Sequence, residues 1–300
     1  MSSSRTIIFL ETGRITPNYL VEEKLMIVVE IVGGLGNQMY GYALYRTLLA
    51  RGRNVKMDLR FWDHQNSTVN DKRKYLLSEV FNIEERVLTR TEYFTMKAAR
   101  ALGLVRTYRD NEQNFQQEIL NVRNGVLRGY WQSFKYCAEI EDTIRKEFTF
   151  KKPLTGRSAE VIDEISSCNS VSISFRRGDY VRLGSVLPME YYAKAVAYVK
   201  ERVPDAKFFC ISDDIDYCRD TFKEDNAKFL DCSTGDNPDF DMQVIASCRH
   251  NILANSTFSL WGAWLNPNPD RIVIRPSSWK SAEVDSRKDF WPDEWVAIPS

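Results

Sequence analysis

Seven residues, Gly33-Gly34-Leu35-Gly36-Asn37-Gln38-Met39, constrain the fold of this chain more than any other segment. They follow an apolar, β-branched run from Met26 to Val32. They precede a stretch, Met39 to Ala50, with apolar residues at helical spacing and a closing Gly52. A short buried strand, a glycine turn and a helix are read in that order, with Gly52 as the helix stop. Val55 to Leu59 supplies a second strand. Strand, glycine loop, helix, strand is how a doubly wound parallel sheet opens.

The pattern recurs. Beyond a basic helical region at about 86–109, a strand at 126–131 and a junction at 148–153, a second unit begins. A helix near 158–167 leads to the strand Val171–Phe175, which runs straight into Arg176-Arg177-Gly178-Asp179. A helix at 189–203, a strand at 207–211 ending in Ser212-Asp213-Asp214, a helix at 239–248, an extended 251–254, the polar turn Asn255–Ser259 and a strand at 272–274 follow. The expected fold is α/β, with two Rossmann-like domains, 26–152 and 153–300, facing across a cleft. Residues 1–25 read as an extension outside the fold.

Composition removes several classes. Lys plus Arg equals Asp plus Glu at 41 each, so there is no basic excess for nucleic acid. Hydrophobic residues at 43% and aromatics at 12% are enough for a sizeable core and exclude disorder. The six cysteines, Cys137, Cys168, Cys210, Cys218, Cys232 and Cys248, include no CxxC, and His64 and His250 are the only histidines. A structural zinc site needs four clustered ligands. Scattered cysteines in such a chain read as reduced and buried, in a cytoplasmic protein. The apolar run Ile7–Leu10 is closed by Glu11, too short for a signal core.

Three loops carry the chemistry. The glycine loop lacks the Gly-Lys-Ser/Thr end of a nucleotide-kinase loop. A dinucleotide fingerprint would need glycine at Met39, although Asp58 stands near the distance for a ribose contact. A plain tight turn is the alternative, against which the Asn37 and Gln38 amides suit sugar hydroxyls or a phosphate. Arg176 and Arg177 end a buried strand, where guanidinium is the side chain best shaped for bidentate phosphate contact; an internal Arg–Asp clamp through Asp179 is the competing reading. Asn255-Ser256-Thr257-Phe258-Ser259 sets hydroxyls and amides at a helix start, a ready anion site or an ordinary cap. Two anion-suited loops on one sheet point to a diphosphate.

Together these segments resemble the α-1,2-fucosyltransferases of glycosyltransferase family 11. Gly33–Ala43 is similar to the family's GGLGNQMFQYA, Gly129-Tyr130-Trp131-Gln132-Ser133 to GYWQS, Ser174–Tyr180 to HxRRGDY, and Asn255–Leu265 to NSTFSWWGAWL. The resemblance implies a GT-B fold, GDP-β-L-fucose as donor, inversion at the anomeric carbon, and no cofactor or metal. It puts the galactose-ended glycan acceptor on the N-terminal domain and GDP-fucose on the C-terminal one. It assigns the diphosphate to Arg176 and to Ser256, Thr257 and Phe258, and sets Asn37 near the reacting sugar. Gly34, Gly36, Gln38, Arg177, Asp213 and Asn255 complete the expected donor contacts, Asp213 toward the guanine donors. Catalysis falls to Arg176, Asp179 and Asn37, with Asp179 as the base or as the holder of an arginine. Two departures stand out: Ser174 replaces the motif's histidine, removing any imidazole there, and Leu260 replaces a tryptophan, a packing change.

The acid pairs Asp214/Asp216 and Asp239/Asp241 have DxD spacing but read as turn or helix-start acids. Another linkage, another GDP-sugar or a silent nucleotide- or glycan-binding relative are the alternatives on the same scaffold. In the basic region, Arg86, Arg90, Lys97, Arg100, Arg106 and Arg109 face one acid, Glu92, among interleaved apolar residues. That reads either as a solvated face or as a peripheral contact with the inner face of a membrane, suited to a lipid-linked acceptor.

Overall fold

The computed structural model describes residues 25–62, 74–111, 114–231, 239–279 and 289–300; residues 1–24, His64 and Cys232 lie outside them. The first unit comprises β1 (Ile27–Glu30), α1 (Leu35–Ala50), β2 (Val55–Asp58), α2 (Leu77–Val80), α3 (Arg90–Ala101), β3 (Thr107–Arg109), β4 (Gly125–Arg128) and α4 (Glu141–Glu147). Its sheet is parallel throughout, in the order β2-β1-β4-β3.

The second unit comprises α5 (Arg157–Ser166), β5 (Ser170–Phe175), α6 (Gly178–Arg182), α7 (Met189–Lys200), β6 (Lys207–Ser212), α8 (Ile215–Thr221), β7 (Ala227–Phe229), α9 (Phe240–Ser247), β8 (His250–Ile252), α10 (Thr257–Leu265), β9 (Val273–Pro276) and β10 (Val296–Ile298). These six strands are also parallel, in the order β10-β9-β8-β5-β6-β7. Both sheets place their strand C-termini where ligands of such folds bind.

Sequence and structure differ at informative points. Helix α1 starts at Leu35, four residues before the expected Met39, because Leu35 and Gly36 are already buried in its first turn. Helix α3 covers only part of the basic region. It is opened by a Thr89–Glu92 capping box and ends at Ala101, before the chain turns into β3. The strand expected to reach Trp131 stops at Arg128, and Trp131 takes a positive φ of 53° in a turn.

Central β5 is buried at every position. Val171, Ile173 and Phe175 join an apolar cluster on one side. Its alternate residues are serines, and Ser172 Oγ accepts from Asn251 Nδ2 at 2.8 Å, which satisfies polar groups that burial would otherwise penalise. The largest core cluster is continuous from β1 and α1 to α9 and α10. At its centre the Trp261 ring meets Tyr40, Phe134, Phe148 and Trp264, with centroids 4.8–5.4 Å apart. Residues Ser259 to Trp264 of α10 are all buried, as a helix covered on all sides requires. The five described cysteines are free thiols. Among the described residues no helix is long and apolar enough to cross a membrane.

Candidate active site

The glycine loop and the Ser-Thr turn meet directly. A Cβ built on Gly36 would lie 2.5 Å from the Thr257 carbonyl carbon and 2.6 Å from the Phe258 nitrogen. One turn further along, Tyr40 packs on Trp261. Helices α1 and α10 therefore lie side by side with their N-termini together. Gly34 and Ser256 are the N-caps, and neither helix receives a side-chain cap. The first intrahelical bonds run from Asn37 N and Gln38 N to Gly34 O and from Leu260 N to Ser256 O. Ser256 N donates back to Ala254 O at 2.9 Å, and the remaining amides of the two first turns have no intrahelical acceptor. Each N-terminus carries about half a positive charge, so two of them abutting favour an anion placed over both.

The arginine loop stands on neighbouring strands. In the order β8-β5-β6, Ser256, Arg176 and Asp213 follow the C-terminal ends of three adjacent strands. Arg176 Nη2 donates to Asp179 Oδ1 at 2.6 Å and Nη1 pairs with Asp213 Oδ2 at 2.8 Å. Its side chain keeps about a third of its surface exposed. It is a cation held by two carboxylates with part of its surface left open. A Cβ on Gly178 would meet Asp213 Oδ2 at 2.6 Å, so glycine there lets that carboxylate approach.

Asn37 is fixed by a residue to which the sequence had assigned no role. Gln132 Nε2 donates to Asn37 Oδ1 at 2.8 Å. Gly33, at φ +80°, sits against both Asn37 and the Tyr130 ring. The turn holding Tyr130 and Gln132 is anchored by Asp110, whose Oδ2 accepts from the amides of Tyr130 and Trp131. The GYWQS segment therefore braces the glycine loop.

Four expected donor contacts are used elsewhere in the protein. Gln38 is fully buried; its Nε2 donates to Gly33 O and Lys74 O and its Oε1 accepts from Leu76 N, so it ties the glycine loop to the 74–76 segment. Asn255 is also fully buried, and its Nδ2 donates to Ser185 O and Trp279 O, positioning the Ser-Thr turn. Arg177 is engaged by Asp214 at 2.9 Å and lies over the Tyr217 ring. Asp213 accepts from Arg177 N at its second oxygen, so its carboxylate holds both residues of the arginine loop. Ser174 is buried; its carbonyl accepts from Tyr192 Oη, and its hydroxyl has no protein partner.

The acid pairs sit at helix starts: Asp214 caps α8 and pairs with Arg177, Asp216 pairs with Arg219, and Asp239 accepts from Gln243. Asp58, the ribose candidate of a dinucleotide reading, is committed to the Arg60 guanidinium. It lines a cavity of about 190 Å³ at the ends of β1, β2 and β4, with Glu30, Val32, Arg60, Phe61, Tyr93 and Arg128. Burial pushes the Glu30 carboxyl above the usual carboxylate range, against the opposing pull of Arg128.

Two parallel-sheet units with polar loops at their strand C-termini make up a GT-B-type fold. The fold is shared with the fucosyltransferase NodZ from Bradyrhizobium, at a TM-score of 0.50 and 14% identity over 84% of this chain and 94% of that one. The sequence matches the glycosyl transferase family 11 model over residues 4–299, and the chain belongs to that family. An alpha-1,2-colitosyltransferase of Escherichia coli is 31% identical over 91% of this chain and 99% of its own length. The O-antigen biosynthesis glycosyltransferase WbnK of the same species is 30% identical over 89% and 98%.

Proposed function

We propose that this glycosyltransferase moves L-fucose from GDP-β-L-fucose to the 2-hydroxyl of a galactose-ended glycan, with inversion and without a metal ion. The observation that carries the reading is the pair of uncapped helix N-termini meeting at Gly36 and Thr257, beside the exposed face of Arg176. The motif resemblance supplies fucose and galactose, and the colitosyl relative agrees on an α-1,2 linkage.

Cleavage between fucose C1 and the β-phosphate leaves negative charge on the departing GDP. Preorganised donors aimed at that charge accelerate its formation. Arg176 and the amides of Thr257 and Phe258 are those donors; Gly34, with open space where a Cβ would stand, lets the diphosphate approach the start of α1, and Gly36 lets the Ser-Thr turn close against it. Asp179 and Asp213 orient Arg176. Because Asp179 is engaged by the guanidinium, the acceptor proton departs late, to an oxygen of the leaving diphosphate, and Asp179 acts as a positioning residue. Asn37, braced by Gln132, contacts the fucosyl ring.

The test is GDP release from GDP-fucose with and without lactose and other β-galactosides, in buffer containing a chelator. Acceptor-stimulated release that persists with chelator is the expected result. The colitosyl relative favours one second reading, a donor carrying colitose; a nucleotide-linked colitose turned over at least tenfold faster than GDP-fucose would replace the first.

A further inference from the structure

Helix α3 has its amphipathic pattern turned outward. Met96 is its one buried residue, and Glu92 and Tyr93 also face the protein, Glu92 pairing with Lys56 and closing the Thr89 cap. On the opposite side Phe94, Ala98, Ala101 and Leu102, at i, i+4, i+7 and i+8, form an exposed stripe that continues to Leu104. Phe94 is 52% exposed, Leu102 74% and Leu104 70%. Arg90, Lys97 and Arg106 are exposed around it, and Glu92, turned inward, is the only acid between Arg90 and Arg109. A chain of zero net charge thus carries a local patch of cations rimming large apolar side chains.

We infer that this face of α3 and the 102–106 turn is a docking surface for an anionic lipid bilayer. Charge complementarity selects that occupant: the apolar stripe enters the headgroup–acyl boundary while the surrounding cations meet lipid phosphates. The inward face of the same helix carries Tyr93 into the 190 Å³ cavity at the strand ends of the first unit. Docking would set that cavity beside the headgroups, where a lipid-carried glycan is presented. This consequence for the acceptor rests on the glycosyl-transfer reading; membrane binding itself does not.

The experiment is co-flotation of the full chain with vesicles of phosphatidylcholine, with and without 25% phosphatidylglycerol. Two triple variants are compared: Phe94→Ser/Leu102→Ser/Leu104→Ser and Arg90→Gln/Lys97→Gln/Arg106→Gln. The protein should partition onto the anionic vesicles and leave them at high salt. The glutamine variant should lose on the order of 100-fold in partitioning, about fivefold per cation, and the serine variant at least about tenfold. Circular dichroism and GDP release with a soluble acceptor should match the parent, since no altered side chain is buried or lies in the candidate active site. Parent protein that stays off anionic vesicles overturns the inference, as does parental partitioning by both variants. Sedimentation as a dimer that the serine variant dissolves would also overturn it, by assigning the face to a second copy of the chain.

Discussion

Replacing Gly36 with alanine tests the contact between the two helix N-termini at its tightest point. The added methyl would meet only backbone, at 2.5–2.7 Å from Thr257 and Phe258, whereas ordinary contact begins near 3.4 Å. Neither partner can rotate away, so α1 and α10 must separate by about 0.9 Å. Overpacking of this kind costs about 1–3 kcal/mol. Alanine in a helix returns about 1 kcal/mol over glycine, so the net loss is roughly 0–2 kcal/mol, at most several degrees in Tm. The effect on activity is larger, because a displacement near 1 Å among groups that position a substrate costs on the order of 100-fold. Gly36→Ala should therefore leave a folded protein with kcat/KM for GDP-fucose reduced by about two orders of magnitude. Gly34→Ala is the control for the clash: its Cβ meets nothing within 4 Å and its φ of −73° suits any residue, so its Tm should stay within about 2 °C of the parent. Steady-state GDP release and scanning calorimetry measure both. Gly36→Ala protein with activity within twofold of the parent would refute the idea that the apposed helix ends bind the donor.

Asp213→Asn weakens one of the two carboxylate grips on Arg176 and should raise the donor KM and lower kcat, each about fivefold; unchanged donor kinetics would remove the arginine loop from the site. Gln132→Ala frees Asn37 and should lower kcat up to about tenfold with GDP affinity by calorimetry unchanged, whereas weakened GDP binding would assign Gln132 to the nucleotide. Burial raises the Glu30 carboxyl in the folded state, so the native form holds its proton more tightly than the unfolded chain, and this contribution is lost as pH rises from the unfolded pKa through the folded one. Glu30→Gln should match the parent in Tm near pH 4 and gain on it toward neutrality; a gap that shrinks with pH contradicts the assignment. Burial pushes the Cys137 thiol up to about 12 and raises those of Cys210 and Cys248. These three should escape alkylation at pH 8 in native protein, as read by peptide mass mapping.

The sequence showed what local chemistry dictates. The glycines at 33–36 marked a turn between strand and helix, the run Val171–Phe175 marked a buried strand, and Arg176 and the Ser-Thr turn were expected where the strands end. Polar residues whose partners are distant in sequence were harder to read. Gln38 and Asn255 looked like ligand donors because an amide side chain carries no sign of its own burial; their partners at Lys74, Leu76, Ser185 and Trp279 come from other parts of the fold. The bond from Gln132 to Asn37 spans 95 positions, and nothing in the local sequence of either residue points to the other. Asp213 was read toward a base because a carboxylate at a strand end faces either solvent or a neighbouring loop, and periodicity does not distinguish the two.

The aromatic cluster around Trp261 bears on how substrate enters. A clamshell opening of the two units about a hinge would pull Tyr40 and Phe134 off the tryptophan. Aromatic side chains bury about 150–250 Å² each, so even half-exposure of three rings uncovers on the order of 300 Å². At about 25 cal/mol per Å² that costs about 7 kcal/mol, which leaves roughly one molecule in 10⁵ open. On that cost the two units are expected to move as one body, and on the proposed reading the GDP-sugar enters through the rim around Arg176. Small-angle scattering curves of the free and GDP-bound protein should superimpose.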